Sequence, residues 1–182
     1  MTSSTTKAGQ IPGPTKHSRA LALLWIGLGA FIGLSGLGAI ALSTKQPWLI
    51  GSFGASGVLL FAYPEGPFSQ VRNVVGGHVL TSLVALVCLK VLGPGLLPMA
   101  FAGALATVLM VVTRTVHPPA GGNPVIVFMI QPSWSFLLIP TLGGACLLML
   151  TAWLYWRAIR WLNLKSDKPS ANKVRKQVTE DK

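Results

Sequence analysis

Two histidines, two arginines and two asparagines stand where an otherwise apolar chain turns. Arg72, Asn73 and His78 follow one proline-containing loop, Tyr63-Pro64-Glu65-Gly66-Pro67, and Arg114, His117 and Asn123 surround a second, His117-Pro118-Pro119. These types suit the holding of a small anion. Asparagine is a favoured N-cap, and Asn123-Pro124 reads as a cap followed by proline at the first helical position. Helix N-termini present unpaired N–H groups and the positive end of the helix dipole. Ala120-Gly121-Gly122 adds amides that glycine allows to turn inward, with Arg72 and Arg114 close by. His117, held before two prolines, is a fixed donor or proton carrier. The competing expectation is a pair of tight hairpins whose arginines cap helix C-termini, with His78 a satisfied core group.

The two loops read as a weak internal repeat, a pattern common in transporters. Gly54-Ala55 followed by Val58-Leu59-Leu60 resembles Gly103-Ala104 followed by Val108-Leu109-Met110. Each run leads to a proline loop, an arginine and an asparagine. Gly76-Gly77 has a counterpart in Gly143-Gly144, displaced by an insertion where 125–130 falls.

The elements that position these residues follow from composition. Charged residues make up 10% of the 182, and the mean hydropathy is +0.59. Ordinary soluble domains carry about 25% charge, so the chain reads as an all-α integral membrane protein. Spans of roughly 20 apolar residues are expected at 20–42, 74–92 and 136–156, with shorter or glycine-rich ones at 48–63 and 96–113. Segment 125–130, bounded by prolines, is expected as a half-helix or re-entrant turn. The expectation is thus a small bundle of about five transmembrane segments with two polar hairpin or re-entrant loops. Gly29-x-x-x-Gly33 and Gly51, Gly54 and Gly57 favour close helix packing and make a homo-oligomer plausible.

Fifteen Lys and Arg against four acids give +11. Eight of the basic residues follow the last apolar run, which places the 157–182 tail in the cytoplasm and against lipid headgroups. Without interleaved aromatics beyond Trp161, the tail does not suggest nucleic acid. Residues 1–19 read as a disordered basic N-terminus with no convincing signal peptide. Five spans would leave the basic ends on opposite sides; a four-span arrangement would satisfy the charge rule better.

The same composition excludes chemistry. Of the acids only Glu65 lies in the apolar region, so no carboxylate dyad or oxygen cage forms within one chain. No P-loop motif occurs, and Cys88 and Cys146 lack CxxC spacing. The two histidines have no third ligand nearby for a metal. No enzyme activity and no cofactor are expected.

Gly51-Ser-Phe-Gly-Ala-Ser56, Phe68-Ser-Gln-Val-Arg-Asn73, Gly76-Gly77-His78 and His117-Pro-Pro-Ala-Gly-Gly122, in this order, resemble the HPP family of integral membrane proteins over 46–156. The resemblance implies a small helical protein, usually described as four-spanning, whose cyanobacterial and plastid members are associated with nitrite transport. By position it implies contacts from Arg72, Asn73 and His78 in one half and His117, Gly121, Gly122 and Asn123 in the other; Arg114 is added from the repeat. Val71 departs from the pattern, where a proline is expected. Some members carry further cytosolic regulatory domains, whereas this chain ends in a short basic tail. The expected function is a transporter or channel for a small inorganic anion, nitrite first, in a bacterial plasma (inner) membrane, passive or proton-coupled through Glu65, His78 or His117. The alternative is a non-transporting scaffold or assembly protein.

Overall fold

Apolar side chains face outward along most of this molecule, and polar ones gather at its centre. The computed structural model describes residues 16–46 and 48–166, with side chains over 20–46 and 48–162. The expectations for 1–15 and for 167–182 lie outside the described residues. Leu23, Leu24, Phe31, Leu42, Val91, Leu97, Val112 and Met129 are among the most exposed side chains, while Ser52, Ser56, His78, Thr81, Ser82, His117, Asn123 and Thr141 are buried. Water would not tolerate so continuous an apolar exterior; lipid requires it. This is an integral membrane protein.

The described residues form helices and no strand. They are α1 (Lys16–Thr44), α2 (Gly51–Ala62), α3 (Val71–Leu92), α4 (Leu96–Val112), α5 (Asn123–Ile130) and α6 (Ala145–Ser166). Short 3-10 turns cover Pro67–Ser69 and Pro118–Gly122, and a π-helical stretch, Leu137–Gly144, leads into α6. Three stretches are long and apolar enough to cross a membrane: Ala20–Thr44, Val71–Leu92 and Leu137–Leu162; α2 and α4 are apolar but shorter.

The breaks are chemical. Helix α3 ends at Gly93, whose φ of 77° falls in the region glycine alone enters freely. Proline follows at Pro94, and Pro98 lies in the first turn of α4, where its missing N–H removes no helix bond. Pro140 lies within the π-helical stretch, where the wider register absorbs the hydrogen bond that proline cannot donate.

Contacts fix the direction of each element. Tyr155 Oη donates to the Trp25 carbonyl at 2.6 Å and Trp156 Nε1 to that of Leu60 at 3.0 Å. The start of α1, the end of α2 and the end of α6 therefore share one end of the bundle. The start of α3 and the end of α4 meet there too, through Arg72 and the Thr113 carbonyl. Both proline loops lie at this loop end. The chain from Thr113 to Gln131 then crosses to the opposite end, where Gln131 lines a cleft with Leu86, Leu89, Lys90 and Pro94. It runs parallel to α3, as extended residues, a 3-10 turn and α5 in succession. Segment 125–130 is thus half of a broken but through-going element, and does not return to its own side. With it the chain traverses the bundle six times, and α1 begins where α6 ends. An odd number of passes, with the two ends on opposite sides, does not fit this geometry.

Glycines Gly29 and Gly33 seat α1 on the ring of Phe61. A Cβ at Gly29 would lie 2.5 Å from Phe61 Cδ1 and 2.8 Å from Tyr155 Cε1, whereas one at Gly27 meets nothing within 4 Å. This glycine pair therefore serves packing within one chain. Gly29→Leu is expected to lift α1 from α2 and α6 and lower stability by about 1–3 kcal/mol, with Gly27→Leu near wild type. Thermal unfolding in detergent checks both.

Candidate functional site

Three elements meet at the hydroxyl of Ser56, and a fourth joins them through Ser52 and His78. Helix α2 supplies Ser52 and Ser56, four residues apart and so on one face; α3 supplies His78, Thr81 and Ser82. His117 enters from the second loop and Asn123 from the start of α5. Ser56 Oγ lies 2.9 Å from His78 Nε2 and 2.8 Å from His117 Nε2. The imidazole centroids are 5.0 Å apart, and Phe53 packs edge-on against His78 at the same centroid distance. His78, His117, Ser56 and Asn123 are all 0% exposed.

Two backbone carbonyls assign every hydrogen in this chain of bonds. His117 Nδ1 lies 2.8 Å from the Phe68 carbonyl, which only accepts, so the neutral ring carries its hydrogen on Nδ1 and accepts at Nε2. At the other end Asn123 Nδ2 lies 3.2 Å from the His78 carbonyl and 2.9 Å from Ser82 Oγ, while Ser52 Oγ donates to Asn123 Oδ1 at 2.7 Å. The amide orientation is therefore fixed. One of the two Nδ2 hydrogens goes to Ser82, and the other is shared between the His78 carbonyl and His78 Nδ1 at 3.1 Å; Nδ1 faces an N–H, so His78 carries its hydrogen on Nε2. The two assignments, made from opposite ends, agree at Ser56, which accepts from His78 and donates to His117. Thr141 Oγ1, from the π-helical stretch, donates to Ser82 at 3.1 Å. Among the described residues no buried side-chain nitrogen or oxygen lacks a hydrogen-bond partner, as a water-poor interior demands.

The structure brings His78, His117 and Asn123 together and places the remaining expected residues elsewhere. Arg72 donates to the carbonyl of Thr113, the residue capping the end of α4. It is an interhelical clamp, the role named by the competing expectation. Asn73 caps no helix: α3 begins at Val71, and Asn73 Nδ2 donates to the Val116 carbonyl at 2.7 Å. Asn123 is likewise inside its helix, and Gly122 precedes it as the cap. Its side chain is spent on the buried network. Gly121 and Gly122 form no inward nest: they lie in a 3-10 turn, Gly122 at an ordinary φ of −79°, and a Cβ on either meets nothing within 4 Å. Arg114 is exposed, with φ 56°. An anion cradle of two arginines and two helix N-termini is therefore not assembled. Glu65 is 91% exposed, 4.0 Å from Arg160 and remote from the network.

Ser52, Ser56, Ser82 and Thr141 were not singled out by sequence. Their signal was the serine pair of Gly51-Ser-Phe-Gly-Ala-Ser56, two hydroxyls one helical turn apart in an apolar run.

The family model for the HPP transmembrane region matches residues 15–163. The chain belongs to the HPP family. Two proteins described as transmembrane proteins of Dictyostelium discoideum are 35% and 31% identical to it, each over 140 residues and 70% of this chain. The chain spans about half of their length, 49% and 45%. No solved structure matches. All four of the HPP-like motifs reach the site: the first supplies Ser52 and Ser56, the second the Phe68 carbonyl, the third His78 and the fourth His117. Val71, the departure, is the first residue of α3, a position that proline also fits.

Proposed function

We propose that this HPP protein moves a small inorganic anion across the membrane, nitrite being the first candidate, through the buried His78–Ser56–His117–Asn123 network. One observation carries the reading: a fully bonded, charge-free polar network at the core of an apolar-surfaced bundle. Polar and ionisable groups at membrane depth are costly and mark pathways by default. The network offers N–H and O–H donors to an anion. It holds no fixed cation that would make a well too deep for release. Nitrite comes from the family resemblance. In this reading Arg72 holds the loops together and does not bind substrate.

Six passes, with the start of α1 and the end of α6 at the loop end, suit the charge rule better than five. The loop end, where Arg157 and Arg160 of α6 lie, then faces the cytoplasm; in a bacterium the membrane would be the inner one. A scaffold role is the second reading, favoured by Arg114, exposed beside the paired loops. Its partner would be lost on loop substitution with no flux to lose.

The test is nitrite entry into liposomes containing the purified protein, against empty vesicles. Wild type is expected to give saturable entry, His117→Ala to lose at least about tenfold, and Arg72→Gln to retain entry with a lower unfolding temperature. No entry by wild type, with or without a pH gradient, would overturn the nitrite reading.

A further inference from the structure

Ser56 Oγ has three partners within reach and one hydrogen to give. They are His78 Nε2 at 2.9 Å, His117 Nε2 at 2.8 Å and the carbonyl of Ser52 at 3.2 Å. With both imidazoles neutral, the hydrogen points to His117 and the Ser52 carbonyl receives none of it. A proton added at His117 Nε2 turns that nitrogen into a donor. The hydroxyl then rotates to the Ser52 carbonyl, and its oxygen accepts from both rings. No heavy atom moves, no partner is lost, and two hydrogen bonds become three.

The alternative protonation sites are closed. His78 Nε2 already carries hydrogen, and a hydrogen on His78 Nδ1 would face the N–H of Asn123, whose orientation the His78 carbonyl and Ser52 fix. His117 Nδ1 is occupied toward Phe68. One vacancy is open in the pair, so one proton enters.

We propose that Ser56, His78 and His117 form a one-proton switch, in which His117 takes a proton at Nε2 and an anion crosses only with that proton. The lone pair of Nε2 forms the new N–H bond, the network gains one positive charge, and the anion returns it to zero. Only this last clause rests on the transport reading; the switch stands on the hydrogen bonds. A cleft of about 210 Å³ beside Glu65 and Arg160 is lined by Ser69, the neighbour of Phe68, whose carbonyl holds His117.

Charged groups do not compete within this pair. Helices α2, α4 and α5 and the π-helical stretch carry no titratable side chain. On α3, Arg72 is engaged at Thr113; Cys88 and Lys90 lie about 15 and 18 Å further along the axis. Arg114 is exposed on the connecting segment, and Glu65 in the first loop is exposed beside Arg160. On α6, Tyr155 donates to Trp25, Arg157 lies over the Trp153 ring and Cys146 is exposed. On α1, the start bears Lys16, His17 and Arg19. Each imidazole therefore has the other as its titratable partner.

The experiment is nitrogen-15 NMR of histidine-labelled protein in lipid across pH, with His17 assigned by His17→Gln. At high pH His117 should show the Nδ1–H tautomer and His78 the Nε2–H tautomer. On acidification His117 alone should become imidazolium. Ser56→Ala should lower the proton affinity of His117 about tenfold or more, and Ser56→Thr should restore it. Identical tautomers, His78 charging first, or both rings charging together would overturn the switch, and wild type suffices to show any of these if Ser56→Ala does not fold. In liposomes containing a pH dye, nitrite entry should carry one proton per anion above the empty-vesicle rate. The expected NMR transition without nitrite entry would retain the switch and overturn the transport reading. Nitrite entry without a matching proton would retain transport and overturn the coupling.

Discussion

Asn123→Leu is expected to cost this protein its native bundle, although leucine matches asparagine closely in shape. Asn123 is 0% exposed, accepts from Ser52, donates one hydrogen to Ser82 and shares the other between the His78 carbonyl and His78 Nδ1. Leucine leaves the Ser52 hydroxyl and His78 Nδ1 without these partners. A buried polar group left unpaired costs about 1–3 kcal/mol, so losing both sides of this amide removes on the order of 2–6 kcal/mol. Whole domains are stable by about 5–15 kcal/mol. The variant should appear as a large fall in unfolding temperature or a loss of monodisperse protein in detergent. Asn123→Asp tests the direction of the amide: it replaces the N–H donors with an oxygen facing the His78 carbonyl, which can only accept, and should be no better tolerated than leucine. Arg114→Ala, at an exposed position, should stay within about 0.5 kcal/mol of wild type. An Asn123→Leu protein that melts with wild type would mean that the network does not hold α2, α3 and α5 together.

The membrane class, the apolar runs and the convergence of two polar loops were all legible in the sequence, because each is written in local composition. The loops do meet: Asn73 donates to Val116, His117 to Phe68 and Arg72 to Thr113. What local patterning misread is instructive. Asparagine before a helix favours the cap because its side chain satisfies a nearby N–H. Asn73 and Asn123 satisfy partners from other segments instead, and a helix can then begin before them. Gly121-Gly122 permits an inward nest but does not require one, and a 3-10 turn follows from Pro118-Pro119 with no unusual angle. The sixth pass escaped a search for apolar length because Asn123–Ile130 is only eight residues. The traverse of the bundle is completed by irregular backbone, an arrangement that a membrane interior allows where protein surrounds it. Two features were hidden by their apolar setting. Pro140 widens a helix that composition alone makes a simple span, and the serines of α2 resemble small fillers until their shared face meets two histidines.

Gly77→Ala should separate the site from the fold. A methyl there would lie 2.9 Å from His117 Cβ, 2.9 Å from the Thr115 carbonyl oxygen and 3.5 Å from Ala120 Cβ. Backbone is on the receiving side of that contact, so no side-chain rotation relieves it. Something must shift, and α3 itself has no reason to: alanine favours a helix interior over glycine by about 1 kcal/mol. The segment carrying His117 must yield, and His117 Nε2 is drawn from Ser56 Oγ. Overpacking costs about 1–3 kcal/mol, partly offset by the helix gain, which leaves a net loss of about 0–2 kcal/mol. Nitrite entry should fall at least about tenfold in a protein that still folds, since one misplaced group in a close-fitting site is felt at that scale. Gly76→Ala is the matched control. Its methyl would meet Thr115 Cγ2 at 3.1 Å, the end of a side chain that can give way, so the His117 segment should stay near its place and flux near wild type. Flux and unfolding temperature measured together on both variants decide the matter. Wild-type entry by Gly77→Ala would detach transport from the His117–Ser56 contact. Equal losses from both glycines would point to packing of the whole segment, because only one of the two presses on the backbone that holds His117.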